Sequence, residues 1–307
     1  LVLGRRLAGA WLDRREVRDL ARLAEHLGVA LENAELRREA RSRGALTRAL
    51  EEARHIQVRR LPRRTPVLPT LDCAAATLST EAVGGDYYDF VTAGPRAFTL
   101  AVGDAAGHGL PAALVLAGVQ PRFRDEARRA RHPGELLEAL NRDLVALEQP
   151  EKFMGLLCAR VDAAAGTIRL ANAGLTPPIV HRRDGRCEEL TESGVLLGVS
   201  AAADYAVSTL ELGPGDVLVV YTDGLTEASR GGEPFGFTGV RAVLDRHAHR
   251  RAADVLEELL AAVRSHADGP LDDLTIVVLK QLTTPRARAG DAGPELKPAA
   301  VAADTPG

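Results

Sequence analysis

The sequence predicts an α+β fold, two packed sheets flanked by helices and preceded by one long helix, on three observations. Short apolar runs closed by carboxylates and glycines gather toward both ends of residues 71–281, with paired helical stretches between them. Alternation of that kind argues for segregated layers rather than a parallel βαβ sheet. Two runs, Phe153–Val161 and Thr167–Asn172, are joined by the turn Asp162–Gly166, as in a hairpin. From Arg14 to about Arg60, apolar residues recur at three- and four-residue steps, the helical period.

Within that long helix Val17, Leu20, Ala24, Leu27, Leu31 and Ala34 form one stripe. Leu46, Leu50 and Ala53 resume it beyond the Arg-rich stretch Arg38–Arg43, with Gly44 as a weak point. Such a stripe suits a helix packed on its own domain, or a signalling helix that pairs as a short coiled coil. Upstream, Leu1–Gly4 reads as the end of a strand, and Trp11-Leu12 stands just before the helix start. The first residue is Leu rather than Met, so the N-terminus reads as cut from something longer. Leu61-Pro62 ends the helix, and Pro66 and Pro69 make a short extended linker.

The next elements follow in order. Leu71–Leu78 is an apolar strand, Asp86 opens a second after the flexible Gly84-Gly85 pair, and Arg96–Asp104 is a third. The turn Ala105–Gly109 leads into a helix, Pro111–Arg131, with Pro in the first turn where its missing N–H costs nothing. A break or kink is expected at Pro121. Gly134–Leu147 is a further helix, and Pro178–Arg182 with Cys187–Leu190 a second hairpin. Asp216–Tyr221 is a buried strand that ends on Thr222-Asp223-Gly224. Thr238–His247 and Ala252–His266 are helical, and Asp272-Asp273 stands directly before a last strand. From about Thr283 the chain is rich in Pro, Ala and Gly without periodicity and is expected to be disordered.

Composition narrows the function. Of 307 residues 46% are hydrophobic but 4% aromatic, so the core is aliphatic. The net charge is −3 without a basic stripe, which argues against a nucleic-acid partner. No run reaches transmembrane length and no signal peptide opens the chain, so no membrane partner is expected and the cytoplasm is the expected location. Cys73, Cys158 and Cys187 are far apart and odd in number, and offer neither a disulfide framework nor a zinc knuckle.

The chemistry resides in carboxylates. Asp86, Asp104, Asp223 and Asp272 (or its neighbour Asp273) each stand at the start or end of an apolar strand. If those strand ends converge, the anionic oxygens require cations or protons. Oxygen donors without His or Cys favour the hard cations Mg²⁺ or Mn²⁺. Two such ions about 3.5–4 Å apart can bridge a water, lower its pKa and aim it at phosphorus. The plainer reading is that each Asp caps a turn. No Ser-His-Asp arrangement, catalytic-cysteine context or P-loop competes.

Val83–Asp89, Asp104–Gly109, Asn172-Ala173-Gly174, Leu197-Gly198, Pro214-Gly215-Asp216, Tyr221–Ala228, Phe235-Gly236 and Asp272–Thr275 occur in that order. The set resembles the bacterial sporulation stage II E branch of the metal-dependent, protein phosphatase 2C-like family, over about Leu71–Gln281. The resemblance implies an αββα sandwich of two antiparallel sheets. It also implies hydrolysis of phosphoserine or phosphothreonine in a protein by direct attack of metal-bound hydroxide, with no phosphoenzyme. Carried over by position, Asp104 would bridge two Mn²⁺ or Mg²⁺ ions. Asp86 and the backbone carbonyl of Ala105 would serve one ion, Asp223 and Asp272 the other, with Asp273 the less suited of its pair. Asp86, Asp104 and Asp223 would thus carry catalysis.

The implied substrate is a phosphorylated anti-sigma-factor antagonist in a partner-switching pathway. The helix end Glu51–Gln57 with Leu61-Pro62 resembles the linker of these phosphatases, and residues 1 to about 37, especially Leu31–Leu36, resemble the tail of a GAF sensor domain. The expected segments are therefore a GAF-like remnant (1–37), a helical linker (38–62), the phosphatase domain (63–282) and a disordered tail (283–307). A homodimer through the N-terminal helix is expected.

His108 could protonate the leaving oxygen, but its Gly107 and Gly109 flanks favour a turn whose ring packs or bonds locally. Two positions depart from the family's usual residues: Leu175 stands where His is common and Gly155 where Thr is common. Neither is an implied metal ligand. Gly84–Tyr88 also bears a superficial likeness to the Gly-Gly-Asp-Glu-Phe hairpin of diguanylate cyclases. That reading leaves Asp223 and Asp272 unexplained and puts Tyr87 where an acidic residue is needed. A catalytically silent, phosphatase-shaped sensor or binding module is the other alternative, and the presence of every implied carboxylate argues against it.

Overall fold

The computed structural model describes residues 13–94, 96–149, 151–269 and 271–285. The expected strand end at Leu1–Gly4, the Trp11-Leu12 lead-in and the tail beyond residue 285 lie outside them. The chain divides into two units, Leu1–Glu52 and Ala53–Gly307.

The first unit is helical where described. Helix α1 (Arg14–Arg60) starts in it and passes Gly44 without interruption. Asp13 opens the helix with a capping box: its carboxylate accepts from the N–H groups of Arg15 and Glu16, and Glu16 reaches back to the Asp13 N–H. Val17, Leu23, Leu27 and Leu31 are exposed within this unit.

In the second unit the elements run β1 (Leu71–Leu78), β2 (Asp86–Thr92), β3 (Ala97–Ala105), α2 (Gly109–Arg129), α3 (Pro133–Val145), β4 (Met154–Asp162) and β5 (Thr167–Ala173). They continue with β6 (Ile179–His181), β7 (Cys187–Glu189), β8 (Ser208–Glu211), β9 (Val217–Tyr221), a 3₁₀ turn (Asp223–Leu225), β10 (Ser229–Arg230) and β11 (Glu233–Pro234). Helices α4 (Gly236–His247) and α5 (Ala252–His266) and strand β12 (Leu274–Gln281) complete the unit. Two five-stranded sheets result, ordered β2-β3-β4-β5-β8 and β1-β12-β9-β6-β7, and every ladder in them is antiparallel.

Side-chain alternation along the strands sorts the core into three layers. Leu100 and Val102 of β3 point between the sheets, where they share a cluster with Leu157, Val220, Val277 and Leu279. Ala101, between them in sequence, faces the other side with Leu116 and Phe123 of α2 and Leu137 of α3. On the second sheet Val219, Ile276 and Val278 meet Val240 of α4 and Leu259 and Val263 of α5. The layers are helix, sheet, sheet, helix, as the resemblance implies. Removing one of the fully buried leucines by Leu→Ala would cost about 2–5 kcal/mol.

Helix α2 differs from expectation in running through Pro121 unbroken. Pro has no N–H, so the Ala117 carbonyl one turn back loses its helical donor; Arg60 Nη2 faces that carbonyl at 3.5 Å. The burial of Leu116, Val119, Gln120 and Phe123 continues across the proline and holds the helix on the sheet. The C-terminal end of α1 is fastened here too. The Arg60 carbonyl accepts from Gln120 Nε2 at 2.9 Å and Arg124 Nη2 at 2.7 Å, while Arg124 also pairs with the buried Asp89 at 2.6 Å. Strands β8, β10 and β11 were not expected from the sequence.

Candidate metal centre

Antiparallel pairing of β2 with β3 sets Asp86 directly opposite Asp104. Directly opposite side chains have Cβ atoms about 4.5–5.5 Å apart, and like charges there are unfavourable. From the other sheet, β9 ends at Tyr221 and Asp223 opens the 3₁₀ turn, while Asp272 and Asp273 directly precede β12, the strand paired with β9. The ends of both sheets thus meet in one cavity of about 440 Å³, lined by Asp86, Asp104, Asp223, Asp272 and Asp273, with Glu81 and His108 at its wall. Every carboxylate singled out in the sequence lies there. The Ala105 residue that follows Asp104 is buried and donates its N–H to the Gly85 carbonyl at 3.0 Å.

The electrostatics have a single direction. Burial, then the neighbouring charge of Asp104, raises Asp86 well above the ordinary carboxylate range. Burial, then Asp223, Asp272 and Asp273, pushes Asp104 up to about 7. Burial and Asp272 raise Asp223 as well. Without cations this cluster holds protons, the response of carboxylates that share a small space.

Does the donor set fit metal ions? All the strand-end ligands are oxygens, the preference of hard cations. Among the described residues no three His, Cys, Asp or Glu side chains close tightly round a single ion. Carboxylates spread round a cavity of this size instead suit hydrated ions, since Mg²⁺ keeps several waters and takes one or two carboxylates. The group fits on those terms.

The two adjacent aspartates differ in their commitments. Asp273 Oδ1 accepts from the Thr80 N–H (2.8 Å) and hydroxyl (3.1 Å), and its Oδ2 from the Gly85 N–H (3.0 Å). It fastens the loop before β2. Asp272 accepts from the Asp273 N–H through Oδ1 at 2.7 Å.

His108 lies at the rim, its side chain 86% exposed and its Nδ1 2.7 Å from Glu81 Oε1. Gly107 and Gly109 both take positive φ, which accounts for the glycine flanks by the turn itself. Local bonding is therefore what the His108 ring does here.

Four contributors escaped the sequence reading: Thr222, Thr275, Gln57 and Glu81. The Thr222 hydroxyl donates to Asp86 Oδ2 at 2.7 Å and accepts from the Thr275 N–H at 2.8 Å, and Thr275 in turn donates to Thr77 at 2.8 Å. Gln57 near the end of α1 donates to the Gly84 carbonyl at 2.7 Å and accepts from its N–H at 3.3 Å, two residues from Asp86. Glu81 holds His108. Thr222 and Thr275 could have been found, because a hydroxyl inside an apolar run needs a partner. Gln57 and Glu81 gave no comparable signal.

The model of the family Stage II sporulation protein E (SpoIIE) matches residues 94–281. The chain is 25% identical to the phosphoserine phosphatase RsbU of Bacillus subtilis over 234 residues, 76% of this chain and 70% of RsbU. It is 22% identical to the phosphoserine phosphatase RsbP of the same organism, over 61% of this chain and 46% of RsbP. Among solved structures, the SiaA-PP2C domain of Pseudomonas aeruginosa superposes with a TM-score of 0.68 at 22% identity, over 78% of this chain and 98% of that domain. The RsbU and RsbW domains of Rv1364c from Mycobacterium tuberculosis give a TM-score of 0.61 at 26% identity, over 73% and 64%.

Proposed function

The chain belongs to the stage II sporulation protein E (SpoIIE) family, with a metal-dependent serine/threonine phosphatase domain of the 2C type, and from that premise we propose which residues carry the reaction and on what substrate. The carrying observation is the meeting of strand-end aspartates from both sheets in one cavity, with their carboxyl groups pushed toward protonation.

Two Mn²⁺ or Mg²⁺ ions bound there would activate a water and neutralise phosphoryl oxygens. Asp104 stands among the other carboxylates and is the residue suited to face both ions. Asp86 and the Ala105 carbonyl would hold one, Asp223 and Asp272 the other. Thr222 orients Asp86 by taking one of its oxygens, which leaves the second for an ion. Asp273 keeps the Thr80 and Gly85 backbone in place rather than serving as a primary ligand. His108 and Glu81 form a polar rim where the leaving serine would depart.

The substrate we propose is a phosphorylated anti-sigma-factor antagonist. The relatives RsbU and RsbP, named phosphoserine phosphatases, support a phosphoserine protein. We divide the chain into a GAF-like segment (1–37), a helical linker (38–62), the phosphatase domain (63–282) and a tail (283–307), and we propose dimerisation through α1. We propose a cytoplasmic location; no described helix is long and apolar enough to cross a membrane.

Hydrolysis of p-nitrophenyl phosphate tests the reaction. Turnover with Mn²⁺ or Mg²⁺, its loss in EDTA, and a fall of about 100-fold or more in Asp104→Asn and Asp223→Asn are expected. Turnover that persists in EDTA or in both variants would overturn the proposal.

A further inference from the structure

Beside the metal centre lies a second cavity of about 160 Å³, which shares Asp104 and Asp223 with it. Its other walls come from Phe153, Gly155, Leu175 and Leu196. The pairing of β3 with β4 places Gly155 directly opposite Asp104, on the side away from Asp86. At that position a Cβ would come within 3.3 Å of the Gly174 carbonyl oxygen and 3.5 Å of Leu175 Cα, so a larger residue would grow into this space. The turn that follows is rigid, because the Asn172 amide accepts from the Leu175 N–H and donates to its carbonyl, both at 2.9 Å. Thr176 also borders the cavity, and its hydroxyl is committed to the Tyr221 carbonyl.

We propose that this cavity is a specificity subsite that takes an aliphatic side chain of Val or Leu size, carried by a residue directly flanking the phosphoserine. The inference rests on the phosphatase reading above. A phosphate held among the carboxylates brings the neighbouring residues close, since consecutive Cα atoms are 3.8 Å apart. The two cavities adjoin at a shared pair of carboxylates, Asp104 and Asp223. A cavity of about 150 Å³ accommodates a molecule the size of benzene, so this one, of about 160 Å³, has room for a branched aliphatic group. An acidic flanking residue would have to give up its hydration against Phe153, Leu175 and Leu196. A basic one would compete with the ions for the same two carboxylates.

The test uses the full chain with Mn²⁺ and two series of phosphoserine peptides. One varies the residue before the phosphoserine and the other the residue after it, each through Gly, Val, Leu, Asp, Lys and Trp. One series is expected to favour Val and Leu over Gly and Asp by about 10-fold or more in kcat/KM, chiefly through KM, the scale on which apolar pockets discriminate. Leu196 is half-buried, so Leu196→Ala should fold and move the optimum toward larger side chains. Gly155→Ala should move it toward smaller ones. Calorimetric binding of non-hydrolysable phosphonate peptides should give the same ranking without turnover.

Values level within about 2-fold in both series, a preference for Lys, or an optimum unmoved in both variants would overturn the subsite. If p-nitrophenyl phosphate is still turned over, the phosphatase reading survives that failure. Absence of any metal-dependent turnover or phosphonate binding would remove both.

Discussion

At the scale of residues, the centre is a cluster of carboxylates that oppose one another. Asp104, raised by burial and by its acidic neighbours, titrates near 7 when folded and near 3.8 when unfolded. A raised folded value means that the native state binds the extra proton. The associated stability is present below about pH 4 and is lost as pH rises through about 7. Asp86 and Asp223 act in the same direction. Metal-free protein should therefore melt lower at pH 8 than at pH 5. Asp104→Asn should raise the metal-free melting temperature at pH 8 by about 4–8 °C, on the order of 2 kcal/mol once solvent screening is allowed for. Thermal melts in EDTA at the two pH values check this, and a wild type more stable at pH 8 contradicts it. The aspartates were legible because each stands at the start or end of an apolar run. What Asp273 holds was not, because its partners Thr80 and Gly85 are remote in sequence.

At the scale of elements, long apolar strands and their hairpins were readable, whereas β8 was not. Of its four residues Leu210 alone is buried, so it has no alternation to detect. Pro121 suggested an interruption, but the buried positions on either side of it keep α2 on the sheet, and the carbonyl it frees faces Arg60. Helix α1 raises a different question. Within the first unit Val17, Leu23, Leu27 and Leu31 are all exposed, and pairing of two such helices would cover apolar surface. Sedimentation of the full chain should give twice the chain mass, and a version that begins at residue 63 should give the single-chain mass. Equal, single-chain masses for both would contradict dimerisation through α1.

At the scale of the molecule, two antiparallel sheets stacked face to face bring strand ends that are far apart in sequence to one place. Asp86 and Asp104 arrive from one sheet, Asp223 and Asp272 from the other. That convergence could not be read from spacing. Periodicity gave the strands one by one, and the ordered set of motifs supplied the arrangement. Gly155 and Leu175, neither of them an implied metal ligand, both line the wall beside Asp104, Gly155 because β4 pairs with β3. The central claim is that the convergent carboxylates form a site for two ions. Calorimetric titration of Mn²⁺ into the metal-free protein, with Asp223→Asn in parallel, tests it most directly. Two ions per wild-type chain and one weakened or lost in Asp223→Asn is the predicted result; a single ion, or binding indifferent to Asp223, would contradict it.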